Sequence, residues 1–155
     1  MKKYSTVIFD LDGTLLNTIE DLTNALNHTL QEFNMPTRTL PEVQSFVGNG
    51  LRLLLIRAIP QGEDNPQFEE VAIGERTGVR KKPAPDTVFT ALEELGEHAD
   101  SAVYVGDSEV DLQTAANSGM DCISVAWGFK GRAFLEKEGA SHIVDTPEEI
   151  LGFLI

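Results

Sequence analysis

The sequence predicts an α/β fold, a doubly wound parallel sheet, on three observations. Short β-branched and aromatic runs alternate with stretches of helical period, most regularly from Asp86 onward. Two of these runs, Val7-Ile8-Phe9 and Ala102-Val103-Tyr104-Val105, stop abruptly at acidic clusters, Asp10-Leu11-Asp12-Gly13 and Gly106-Asp107-Ser108-Glu109-Val110-Asp111. Sheets of this kind bind ligands beyond the carboxyl ends of their strands, and both clusters sit at such ends.

Ser5 to Phe9 is short, apolar and closed by a Gly, which favours a strand. From Leu15 to Phe33 the apolar residues take a helical period, and Asn34 ahead of Pro36 offers an end. Thr39 before Leu40-Pro41-Glu42 suits a helix start, with Pro in the first turn and an acid close behind. Leu51 to Ala58 follows Gly48-Asn49-Gly50 and predicts a mostly buried helix. Gln61 to Gln67 is polar and turn-rich, Phe68-Glu69-Glu70-Val71 begins an element that is not completed, and Ala72-Ile73-Gly74-Glu75 has the look of a strand end. Thr77 to Pro85 is a basic loop, with Arg76 just before it and Arg80, Lys81 and Lys82 inside it. A helix from Asp86 with Gly96 as its stop, a buried strand at Ala102–Val105, a helix from Val110 to Ser118 and a strand from Cys122 to Ala126 follow. A helix around Arg132 to Glu138, a short strand at His142–Val144 and a helix opened by Thr146-Pro147-Glu148-Glu149 complete the alternation.

A length of 155 residues fits one ordinary domain with a small insert. Twelve Lys and Arg against 25 Asp and Glu give a net charge of −13, a field that repels nucleic acid and anionic membranes. The same field repels a phosphorylated substrate unless a cation and local positive groups reverse it at the site. Cys122 is the sole cysteine and lies among apolar neighbours, so a packing role in a reducing, cytoplasmic compartment is expected. The apolar run after Met1-Lys2-Lys3 is broken by Asp10, too early for a secretory signal, and no stretch reaches the roughly 20 apolar residues of a membrane span.

Asp10 and Asp12, two apart on an extended chain, are expected to share one small volume. Carboxylates crowded in a partly dry site call for a divalent cation or a raised pKa. The plainer reading is a turn, since Asp caps its own backbone and Gly accepts positive φ. Lys82 and the pair Asp107 and Asp111 then supply what phosphoryl transfer needs, a point charge for a phosphoryl oxygen and hard oxygen ligands that suit Mg²⁺. Asp111 is equally a first-turn helix acid, and Lys81 and Arg80 are rivals to Lys82. His28, His98 and His142 show no ligand spacing, and Trp127 and Phe129 are read as packing near the end of the Cys122 strand.

The segments FDLDGTLLNT at 9–18, KKPAPD at 81–86 and VGDSEVD at 105–111 together resemble the haloacid dehalogenase superfamily phosphatases, and most of all their phosphoglycolate phosphatase group. VGNGLRLLL at 47–55 resembles the start of that family's helical cap. The resemblance implies a core of residues 1–14 and 72–155 and a partial cap of 15–71. It implies Asp10 as nucleophile and metal ligand, and Asp12 as general acid and base with its backbone carbonyl on the metal. It further implies Lys82 bracing Asp10 and the phosphoryl group, Asp107 on Mg²⁺ and Asp111 supporting the metal shell. Gly13 and Thr14 would cradle the substrate, and Arg52 would reach a substrate carboxylate from the cap unless it is an ordinary cap-helix residue. The implied activity is hydrolysis of a small phosphorylated metabolite through an aspartyl-phosphate. A phosphate- and Mg²⁺-binding module without turnover and a sugar phosphomutase share the same core. A receiver-type signalling domain ranks low, because Lys82 lies between the two acidic clusters instead of late in the chain.

The family's strand ending in Ser or Thr, which hydrogen-bonds the phosphoryl group, has no counterpart before Lys82, and the remaining cap helices are missing as well. The join near Val71-Ala72 therefore reads as a deletion of several dozen residues that removes an interior strand. Two accounts of it compete: ordered parts of a longer chain joined end to end, or a truly shortened protein with a strained sheet and weak turnover. The strongly apolar flanks favour the first, which predicts an intact mass well above 17.0 kDa; a mass at that value decides for the second.

Overall fold

The computed structural model describes residues 3–48, 50–71 and 80–154. The expected strand end at 72–75 and the first part of the basic loop lie outside the described residues. The chain divides into two compact units, Met1–Asn17 with Val79–Ile155, and Thr18–Gly78.

The first unit is built on a parallel sheet of four strands, β1 (Thr6–Phe9), β2 (Ala102–Gly106), β3 (Asp121–Val125) and β4 (Ile143–Val144), in the order β1-β2-β3-β4. Register places Phe9 beside Val105 and Gly106 beside Ser124, so the loops after β1, β2 and β3 emerge side by side. Strands buried on both faces read as continuous apolar runs, and β2 is buried along its whole length.

Alternate residues feed two cores. Val103, Val105, Ile123, Val125 and Val144 pack with Tyr4 and Ile150 on one face. Ala102 and Tyr104 pack with Val88, Leu92, Ala115 and Met120 on the other. The second face is covered by α5 (Asp86–Leu95) and α6 (Glu109–Asn117), while Ile150 comes from α8 (Pro147–Ile150), so the sheet is doubly wound. Gly96 ends α5 in the left-handed region at φ 69, as its place in the sequence predicts. Between β3 and β4 runs α7 (Arg132–Lys137), whose Leu135 is fully buried.

The second unit is helical: α1 (Ile19–Glu32), α2 (Leu40–Phe46), α3 (Gly50–Ala58) and the single turn α4 (Phe68–Val71). Thr39 and Glu42 form a capping box at the start of α2. Asn27 clips the α1–α2 connection by donating to the Arg38 carbonyl at 2.8 Å and accepting from the Arg38 amide at 2.7 Å. Arg38 Nε in turn donates to the Ala58 carbonyl at the end of α3. Phe68 and Val71, the element that seemed incomplete in sequence, are both buried in one helical turn.

Three expectations change. The first helix starts at Ile19, not Leu15, because the Leu11 carbonyl accepts the amides of Leu15 and Leu16 at 3.0 Å and the Gly13 amide donates to the Leu16 carbonyl, closing a turn instead. In α3 only Leu54, Leu55 and Ala58 are buried, and Leu51 and Leu53 are exposed. The helical period after Asp86 puts Val88, Phe89, Ala91, Leu92 and Leu95 on one face, yet Phe89 and Leu95 are exposed, since that short helix buries only Val88 and Leu92.

Ile123 is fully buried in the β3 layer. Ile123→Ala is expected to lower stability by about 2–5 kcal/mol, from lost burial and the cavity left behind. Urea unfolding checks it, and a smaller loss would mean that the sheet collapses to fill the space.

Candidate active site

The acidic clusters meet at the carboxyl ends of β1 and β2. The Asp10 amide donates to the Val105 carbonyl at 2.8 Å, which extends the β1–β2 ladder by one bond and carries Asp10 to the rim. The carboxylates of Asp10, Asp107 and Asp111 each offer an oxygen within 4.8 Å of the others. Lys82 closes the group, its Nζ donating to Asp10 Oδ1 at 2.5 Å and to Asp111 Oδ1 at 2.9 Å. Residues 72 positions apart in the chain thus form one ion pair at the sheet's rim.

Asp111, only 2% exposed, is held on every side. Its Oδ2 accepts the Asp107 amide at 3.2 Å, the Ser108 amide at 3.1 Å and the Ser108 hydroxyl at 2.7 Å, which makes the capping box of α6. Its Oδ1 receives Lys82 and, at 3.4 Å, the Tyr104 hydroxyl. The two sequence readings of Asp111, helix-start acid and site residue, therefore describe the same side chain: one oxygen caps the helix and the other anchors the lysine. In the sequence Tyr104 reads only as a buried strand residue. Its ring also lies 5.2 Å from Lys82 Nζ, so it cradles the lysine from below.

Asp12 is exposed and is not one of the three converging carboxylates, and the Leu11 carbonyl closes a turn around it. The chain turns at Gly13, whose φ is 84. A side chain there would also collide with Asp107 Oδ2 at 2.6 Å, so the residue must be Gly for two reasons. Thr14 is buried, with its hydroxyl 3.5 Å from Asp10 Oδ2. Lys82, as the residue before Pro83, turns inward, whereas Arg80 pairs with Asp86 at 3.0 Å on the surface. Arg52 belongs to the helical unit, where its guanidinium bonds Glu63 at 3.0 Å and Glu69 at 3.1 Å and lies over the Phe68 ring.

Burial pushes the Asp107 carboxyl up to about 6, against the Phe129 amide that donates to it and with Asp111 and Asp10 nearby adding to the rise. Asp10 is raised for the same leading reason and by Asp111, with Lys82 opposing. Burial would lower Lys82, but Asp111 and Asp10 outweigh it and hold the ammonium above its ordinary range. Three carboxylates against one ammonium leave an excess of negative charge in a poorly hydrated space. Oxygen-only donors and that excess fit a hard divalent cation. Burial also pushes the Cys122 thiol up to about 12, in keeping with a packing cysteine.

The sequence profile of the haloacid dehalogenase-like hydrolases matches residues 7–74 and 64–125. A phosphoglycolate phosphatase of Pseudomonas syringae pv. tomato is 26% identical over 216 aligned positions, which take in 96% of this chain and 79% of the relative. A phosphoglycolate phosphatase of Aquifex aeolicus is 24% identical over 79% of this chain and 85% of its own. Because 216 positions exceed the 155 residues present, the Pseudomonas relative carries residues within the aligned span that this chain lacks. Among solved structures, one from Lactobacillus delbrueckii subsp. bulgaricus, provisionally named a phosphoglycolate phosphatase, superposes with a TM-score of 0.85 at 28% identity, covering 96% of this chain and 97% of that one. No helix among the described residues is long and apolar enough to cross a membrane.

The upward shift of Asp107 means that its ionisation opposes folding above the folded pKa of about 6, and the penalty is gone once pH falls below the unfolded carboxyl value. Asp107→Asn, which keeps an oxygen for the Phe129 amide, is expected to stabilise the cation-free chain at neutral pH by about 1–3 kcal/mol. It should also flatten the gain that the wild type shows as pH drops through that window. Urea unfolding across pH in the presence of a chelator checks both, and a variant no more stable than the wild type at neutral pH contradicts the assignment.

Proposed function

We propose that this chain, which belongs to the haloacid dehalogenase-like hydrolases, is a Mg²⁺-dependent phosphatase acting on a small phosphorylated metabolite, with 2-phosphoglycolate the first candidate. The observation that carries the reading is Lys82 bridging Asp10 and Asp111 with Asp107 alongside, a nucleophile, a counter-charge and a cation seat in one volume.

Asp10 attacks the phosphorus, forming a carboxylate–phosphorus bond as the bond to the leaving oxygen breaks. Asp12 gives that oxygen its proton. It then takes a proton from the water that attacks the aspartyl-phosphate, which releases phosphate and restores Asp10. For this the exposed Asp12 side chain must turn toward the substrate, as a residue working on the solvent side of the reacting bond can. Lys82 holds Asp10 in line and offsets charge on the phosphoryl oxygens, and the Gly13-Thr14 backbone borders the same space. Mg²⁺, when bound by Asp10, Asp107 and the Asp12 carbonyl with Asp111 behind them, supplies further charge neutralisation. Arg52 would have to exchange Glu63 and Glu69 for a substrate carboxylate. We place the missing span at the join near residues 71–72, and a cytoplasmic location follows from the lone, packed Cys122.

Asp10→Asn is expected to cut phosphate release by about three orders of magnitude or more while the far-ultraviolet circular dichroism is unchanged. Chelation of Mg²⁺ should silence the wild type in the same assay. Unchanged release in the variant refutes the nucleophile. Metal-dependent ligand binding without release would favour a binding module, and phosphate appearing on a second sugar hydroxyl would favour a mutase.

A further inference from the structure

The loop after β3 reaches the site through three residues that the proposed chemistry does not use. The Phe129 amide donates to Asp107 Oδ2 at 2.6 Å, the one hydrogen bond to that carboxylate found among the described residues. Gly128 lies directly against the same side chain: a Cβ there would sit 2.1 Å from Asp107 Cβ and 2.5 Å from Oδ2. Real Cβ atoms do not come that close, so any other residue must move either the loop or the aspartate. Trp127 Nε1 donates to the Thr14 carbonyl at 2.9 Å, which ties the loop to the turn that follows the nucleophile. The Phe129 ring edge closes the contact from the other side, 3.0 Å from where a Gly13 Cβ would be. Trp127 stays 39% exposed.

We infer that Trp127, Gly128 and Phe129 are positioning residues that fix Asp107 as a cation ligand and hold it in register with the Asp10 loop. The inference rests on the phosphatase reading for its assignment of Asp107 to the cation. An aspartate at a strand end has free rotation about two side-chain bonds. Here the base of the side chain is blocked by the Gly128 backbone and one oxygen is claimed by a fixed amide, so a single orientation is left. The outer partners of a metal ligand act in this way, and losing one typically weakens metal binding about 10- to 100-fold. Trp127 adds a link between loops, because Thr14 follows Asp10 by four residues and its hydroxyl faces the Asp10 carboxylate.

The test uses the intact chain and Mg²⁺ alone, followed by calorimetry, with phosphate release from p-nitrophenyl phosphate measured separately over a Mg²⁺ series. Gly128→Ala is expected to weaken Mg²⁺ binding about tenfold or more, and turnover should recover at high Mg²⁺, since the chemical groups are intact. Trp127→Phe keeps an aromatic ring and loses the indole donor. It is expected to weaken Mg²⁺ by a smaller factor and to carry the test if Gly128→Ala does not fold. Mg²⁺ affinities within about twofold of the wild type in the folded variants would overturn the inference, as would a wild type that binds no Mg²⁺. If both variants lose affinity while the wild type releases no phosphate, the positioning role stands and the phosphatase reading falls. If the wild type is active and the variants match its Mg²⁺ dependence, the reverse holds.

Discussion

The ammonium of Lys82 between the carboxylates of Asp10 and Asp111 is the interaction on which the rest of the site depends. Three acids brought within 4.8 Å of one another at the rim of a sheet repel each other, and a dry environment magnifies the repulsion. The lysine offsets one charge, the capping box of α6 absorbs much of the demand of Asp111, and the Phe129 amide serves Asp107. What stays unbalanced is a seat for a cation, so the electrostatic problem that folding creates is the one that binding metal and phosphate would relieve.

The sheet makes this possible through depth at β2 and access at β1. β2 is buried on both faces and anchors Asp107 and Asp111 through a strand that has no room to shift. β1 is half-buried, pairs with β2 alone among the described residues and leaves Phe9 41% exposed. The Pseudomonas relative has residues in the aligned span that this chain lacks. The ion pairs and the ladder bond from Asp10 to Val105 nonetheless keep the nucleophile in place from the paired side.

Much of this was legible in the chain. The four strands, the helices around them and the clustering of acids at strand ends followed from period and punctuation, because burial on both faces forces continuous apolar runs and helix starts need their caps. Local turns were less legible. The closing of Leu11 on Leu15 and Leu16 delayed the first helix, and nothing in the apolar period announces such a turn. Tyr104, Trp127 and Phe129 read only as packing and Ser108 and Gly128 carry no role in the sequence; for Trp127, Gly128 and Phe129 this is because each meets the site at an atom of another segment. A Gly after a strand-end tryptophan was the only available signal, and it does not say what presses against it.

The sequence by itself determined the kind of chemistry: carboxylates at strand ends, one lysine in a basic loop and an acidic chain that needs a cation to meet a phosphate. Those are properties of residue type and local period, which short stretches carry whole. Only the tertiary structure decided that Asp10 converges with Asp107 and Asp111, and what holds each of them. That choice depends on the register of β1 against β2 and on a loop arriving from β3, contacts between residues far apart in the chain that no local pattern encodes.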